Sequence, residues 1–161
     1  MVKLLLDAPK TDVEVERDGV GFVCTIPALQ CDIESRFVTL DVRLDAMPDY
    51  DPDVFEFTFG FTVADLEDAF APYVTQDRHE VKRYFGDHTT EHVMPTVCEA
   101  ARALIDVVQP RAIFRVTKGR RLPQKAMAKH ELVDEVLSEF GYEVADSGTD
   151  GFGRSYKLWA R

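Results

Sequence analysis

The sequence is short of cysteine and tryptophan, with three of the first and one of the second in 161 residues. Cys24, Cys31 and Cys98 are odd in number and lack C-x-x-C spacing. That pattern fits free thiols in a reducing cytoplasm rather than a disulfide framework. No apolar run approaches the roughly 18 residues that a membrane-crossing helix needs. The opening stretch, Met1 to Asp7, has too short an apolar run to read as a signal peptide. There is no repeat at a period of roughly 20–50 residues and no low-complexity tract. No P-loop, Ser-His-Asp grouping or Cys-His pairing can be assembled. Cations are scarce as well: 19 Lys and Arg face 29 Asp and Glu, a net charge of −10. So acidic a chain is a poor candidate for non-specific nucleic-acid binding.

What is present is ordinary globular usage, 45% hydrophobic and 30% charged. At about 100–200 residues per domain, residues 1–161 read as a single domain. A chain of this size can hide about 70% of its unfolded surface. Its charge is uneven. Residues 1–76 hold 16 acids and 5 bases, whereas residues 77–161 hold 13 acids and 14 bases. Gln109 to His130 contains seven bases and no acid.

Alternation at period two marks strands in the first third. Val13 and Val15 alternate with Glu14 and Glu16, Asp18-Gly19 supplies a turn, and Phe22, Cys24 and Ile26 share a face of the next strand. Val38, Leu40, Val42 and Leu44 mark a third strand. After an acidic loop around Pro48 and Pro52, Phe55, Phe57, Phe59, Phe61 and Val63 mark a fourth. Its phenylalanines are expected to form a floor for helices, the alternative being an aromatic ligand pocket, and Gly60 lies on the polar face. Residues 64–89 read as a linker, in which Asp65 to Phe70 suits a short helix and Val81 to Phe85 a strand. From about Thr90, the residues Val93, Val97, Ala101, Leu104 and Val108 make one helical face. Thr89 or Thr90 is its expected cap, Pro95 falls in its first turn, and Pro110 stops it. Ala112 to Thr117 is a short strand and Lys118 to Arg121 a turn. Pro123 opens a second helix with a buried stripe of Leu132, Val133, Val136, Leu137 and Phe140, ended by Gly141. Tyr142 to Ala145 and Arg154 to Ala160 form a closing hairpin around a loop of residues 146–153. The expected fold is α+β: a strand meander (1–63), the linker (64–89) and a helix-strand-helix-hairpin unit (90–161). It implies a mixed, mostly antiparallel sheet with two long helices packed on it.

Over residues 54–161 this order, with the segment Leu137-Ser138-Glu139-Phe140-Gly141-Tyr142-Glu143, resembles the GNAT family of N-acetyltransferases. It is also similar to degenerate members of that fold class encoded in phages and prophages. The resemblance implies an acetyltransferase-like fold and, by extension, acetyl-CoA as cofactor. In that family a Gln or Arg and spaced glycines at a helix start cradle the cofactor pyrophosphate. The corresponding stretch here, Gly86 to His92, has one glycine and the carboxylates of Asp87 and Glu91. The family's Tyr general acid aligns with Leu137, which has no proton to give.

Four constellations bear on function. Lys118, Arg120 and Arg121 lie between a strand and a helix N-terminus, where the helix dipole and free N–H groups favour an anion, with Lys125 a further candidate. The alternative is that this basic face offsets the acidic first half, within the chain or across a dimer. His88-Thr89-Thr90-Glu91-His92 matches H-x-x-E-H, in which His88 and His92 on one helix would bind zinc with Glu91 as base. The alternative for that stretch is a polar helix start, and His79 and Asp87 are the further candidate ligands. Asp49-Tyr50-Asp51-Pro52-Asp53 resembles the start of an EF-hand loop but has Val54 where glycine is needed, which makes it an acidic turn. Asp150 and Arg154 are placed to pair across the closing loop. Cys98 reads as core. The leading expectation is a small cytoplasmic protein, without membrane attachment, that binds a small anion or a protein partner without catalysis and without a cofactor. A homodimer is compatible with it. The alternatives are a divergent acyltransferase using acyl-CoA and a metal-binding protein.

Overall fold

A computed structural model describes residues 2–6, 13–31, 36–65, 72–75, 78–85, 91–117 and 124–161. The elements are β1 (Val2–Leu4), β2 (Glu16–Asp18), β3 (Gly21–Cys31), β4 (Arg36–Ala46), β5 (Val54–Asp65), β6 (Tyr73–Thr75), α1 (Arg78–Phe85), α2 (Val93–Val108), β7 (Ala112–Thr117), α3 (Gln124–Glu139), β8 (Glu143–Thr149) and β9 (Ser155–Ala160). The strands form one open mixed sheet in the order β1-β3-β4-β5-β7-β9-β8, with β2 beside β3 and β6 beside β5. The fold is α+β. Every described pairing is antiparallel except β5 with β7.

Alternation on β4 buries Val38, Leu40, Val42 and Leu44 and leaves Thr39, Asp41, Arg43 and Asp45 half-buried on the opposite face. Polar ladders finish that face. Thr39 and Thr62 both donate to Asp41, and Arg43 pairs with Asp45 and Asp18. Phe57 and Phe61 on β5 join the core with Val97, Ala101, Leu104 and Ile105 of α2 and Val133, Val136 and Leu137 of α3. Phe57 and Phe61 are thus buried in the core, whereas Phe55 and Phe59 are only partly buried against it.

Local rules explain where the elements end. Gln109 adopts φ 51° and donates its N–H to the Ile105 carbonyl, so α2 closes on a left-handed cap just before Pro110. Gly141 at φ 81° does the same after α3, and Tyr142 then drops into the core and donates its hydroxyl to the Pro110 carbonyl.

Several expectations are corrected. Val81 to Phe85 is not a strand but the second half of α1, whose Glu80 and Lys82–Arg83 complement the helix dipole. Phe85 anchors the helix, buried edge-on against Phe61. Val13 and Val15 precede β2 rather than forming it; they are partly buried against the core, so their alternation reported burial and not ladder pairing. β1 and β6, of three residues each, were not anticipated. The cap of α2 is His92, without a side-chain cap bond, and not Thr89 or Thr90, which lie outside the described residues. Leu132 is 40% exposed, off the buried stripe of α3. β8 continues to Thr149 across half of the expected loop, because a bulge between Val144 and Asp146 resets the register against β9. Of the short helix expected over Asp65 to Phe70, Asp65 ends β5 and the rest lies outside the described residues.

Candidate functional site

The one parallel pair among the described residues parts early. Val54, Phe55 and Glu56 of β5 register with Ala112, Ile113 and Phe114 of β7, and there the described pairing stops. β7 runs on to Thr117 beside β9, while β5 runs on to Asp65 and takes β6 at Phe61–Val63. Between these two partners the β5 edge from Phe57 to Gly60 has no described strand partner. The result is a fork that opens toward the C-terminal ends of two parallel strands, the place where open α/β sheets bind ligands.

Just past the vertex, on the helix side, lies a buried ionic network. Arg115 of β7 is 7% exposed, and its guanidinium lies 5.8 Å from the centre of the Phe57 ring. It pairs with Asp134 of α3 and donates to the His130 carbonyl at 3.3 Å. Its other arm meets His130 Nδ1 at 3.3 Å, which makes that nitrogen an acceptor because a guanidinium only donates. The second oxygen of Asp134 accepts from Lys157 of β9 at 2.7 Å. Burial pulls the Arg115 pKa down, and the Asp134 carboxylate opposes it. Burial and then the Arg115 charge pull the His130 pKa below its ordinary value, which keeps the ring neutral at neutral pH. This network was missed in the sequence, where Arg115 counted only as one base of a basic run.

Lys118, Arg120 and Arg121 lie outside the described residues, as does the side chain of Lys125, whose backbone belongs to the first turn of α3. In sequence, Lys118, Arg120 and Arg121 follow directly after β7. His88 also lies outside the described residues, with Asp87. His92 is exposed and precedes α2, so that helix does not carry it. His79 is exposed on α1. Among the described residues no three His, Cys, Asp or Glu side chains converge to hold a metal ion. Asp150 and Arg154 do pair, at 2.6 Å, and Asp150 also accepts the N–H groups of Arg154 and Phe152, which lowers its pKa. Cys24 and Cys98 are free and buried. Burial pushes the Cys24 thiol up to about 12, far from a nucleophile's range. No described helix is long and apolar enough to cross a membrane.

No family model, curated protein or solved structure matches the chain.

Proposed function

We propose that the chain is a non-catalytic binding domain whose ligand is a small anion held where β7 parts from β5. The observation that carries this reading is the fork: parallel pairing over Val54–Glu56, then divergence. In sequence, Lys118, Arg120 and Arg121 follow β7 and precede the sixteen-residue helix α3, whose first turn holds Lys125. Helix N-termini and cations both favour negative charge at such a point. The test is thermal unfolding with inorganic phosphate, pyrophosphate, ATP and CoA. A ligand at 100 times its Kd adds about 2.7 kcal/mol. In a domain of this size that is a rise of roughly 5–11 °C. The rise should vanish in Arg120→Glu with Arg121→Glu. No shift at millimolar concentration of any of the four, or an unchanged shift in the variant, sinks the reading.

A second reading, a divergent acyltransferase using acyl-CoA, is favoured by the strand order. Antiparallel strands, a crossover helix, a parallel strand, a second helix and a hairpin whose last strand inserts beside β7 follow the succession that the GNAT resemblance implies. Against it stands Leu137, fully buried where that family's acid would lie. Thiol release from acetyl-CoA in the presence of a panel of amines decides it: release above the protein-free rate supports transfer, and binding without release leaves the non-catalytic reading.

A further inference from the structure

The face of the sheet turned away from the described helices carries a second constellation. Register places Glu56, Phe114, Leu158 and Asp146 in one row across β5, β7, β9 and β8, and Val116, Tyr156 and Gly148 in the next. All these side chains are half-buried or exposed. Tyr50, from the turn between β4 and β5, stacks on Phe114 at 6.4 Å and 27° between planes; Tyr156 stacks on Phe114 at 5.4 Å and 28°. Tyr50 is 73% exposed. Gly148 makes room for this arrangement, because a Cβ there would lie 3.1–3.2 Å from the Tyr156 ring and hydroxyl. The Tyr156 hydroxyl is held by Asp146 at 3.1 Å. The result is an oriented aromatic platform in a position open to solvent, and aromatic side chains of few rotatable bonds are favoured interface anchors.

Among the described residues its surroundings are acidic. Glu56, Glu143 and Asp146 share the face by register, and exposed Asp49 and Asp53 flank Tyr50 in the turn. The arginines at the margins are already paired, Arg111 with Asp51 and Arg43 with Asp18 and Asp45. Rings attract cations to their faces, and carboxylates around them add specificity for positive charge. The same field disfavours nucleic acid, and it disfavours this face pairing with its own copy, which would set carboxylate against carboxylate.

We propose that this face docks a cationic segment of a partner protein, with arginine or lysine side chains laid over Tyr50, Phe114 and Tyr156 and paired with Glu56, Glu143 and Asp146. The test is fluorescence anisotropy with a labelled twelve-residue peptide of alternating arginine and leucine, and with its glutamate-leucine counterpart. The expected result is saturable binding of the arginine peptide at physiological salt and none of the acidic one. Tyr50→Ser with Tyr156→Thr should weaken binding at least tenfold, Tyr50→Ser alone severalfold, and Glu56→Gln with Asp146→Asn severalfold. Glu14→Gln with Glu16→Gln, on a different edge, should leave it unchanged. Unaltered circular dichroism confirms folding, and Tyr50→Ser keeps the question open to test if the double variant fails to fold, because Tyr50 is so exposed. The proposal is overturned by no binding at millimolar peptide, by equal weakening from Glu14→Gln with Glu16→Gln, or by full affinity in Tyr50→Ser. Sedimentation showing a dimer that Tyr50→Ser dissociates would also overturn it, by making the occupant a second copy.

Discussion

Asp134→Ala should be among the most damaging single changes in this protein. Its carboxylate serves two cations of different fates. Lys157 is half exposed and, once released, regains water. Arg115 cannot: its side chain is 9% exposed, and among the described residues only the His130 carbonyl and Nδ1, each at 3.3 Å, remain as polar partners without Asp134. Leaving such a charge buried and uncompensated costs about 3–5 kcal/mol. At about 2–4 °C per kcal/mol for a domain of this size, the melting temperature should fall by roughly 6–20 °C. Replacing both members, Arg115→Met with Asp134→Leu, removes the stranded charge along with its partner and should recover most of the loss. Urea unfolding of the single and double variants at pH 7 measures this. A cost below about 1 kcal/mol for Asp134→Ala, or a double variant no better than the single, would refute the reasoning.

Two further outcomes follow from the same core. The folded state holds the His130 pKa below its ordinary value, so the unfolded chain takes up that proton first as pH falls. The stabilising contribution is therefore complete above about pH 6.5 and is lost as pH drops below it, and His130→Gln, which keeps an acceptor, should flatten that part of the stability profile. Leu104, fully buried on α2, should cost about 2–5 kcal/mol as Leu104→Ala, whereas Leu132→Ala, at a 40% exposed position on α3, should stay within about 0.5 kcal/mol in the same denaturant assay. Equal losses would contradict the burial assigned to the two positions.

What could be read in advance was whatever a local period or a single turn residue determines. The alternation over Val38 to Leu44 and Phe55 to Val63 gave β4 and β5, the four- and three-residue spacings from Val93 to Val108 gave α2, and Gly141 gave the end of α3. The misreadings have equally local causes. Among the described side chains of Arg78–Phe85, Phe85 is buried while His79, Lys82 and Arg83 are exposed, and no clear helical stripe shows in the sequence. Asp146-Ser147-Gly148-Thr149 looks like turn chemistry, and only the bulge and the ladder to β9 make it strand. Leu132 differs from Val133 by one position, and the stripe's edge depends on the rotation of α3 against α2, which no spacing encodes. The site was less legible than the fold. A parallel pair needs the registry of residues 54–56 with 112–114, nearly sixty positions apart. Arg115 acquires its meaning only when α3 lays Asp134 and His130 over it.

The fork and the platform meet at one step of the chain, and alternation separates their chemistry. Glu56 and Phe114, the last registered pair, face the open side; Phe57 and Arg115, one residue on, face the helices. A ligand entering the fork thus has an acidic aromatic surface on one side and a cation locked to Asp134 on the other. Because the two sides respond to opposite charge, they can be separated by cross-effects. Arg120→Glu with Arg121→Glu should abolish anion stabilisation yet leave affinity for the arginine-leucine peptide undiminished, since removing cations cannot weaken attraction for a cationic partner. Tyr50→Ser should do the reverse. If both variants removed both activities, the face and the fork would be one site, and its ligand would have to carry cation and anion together.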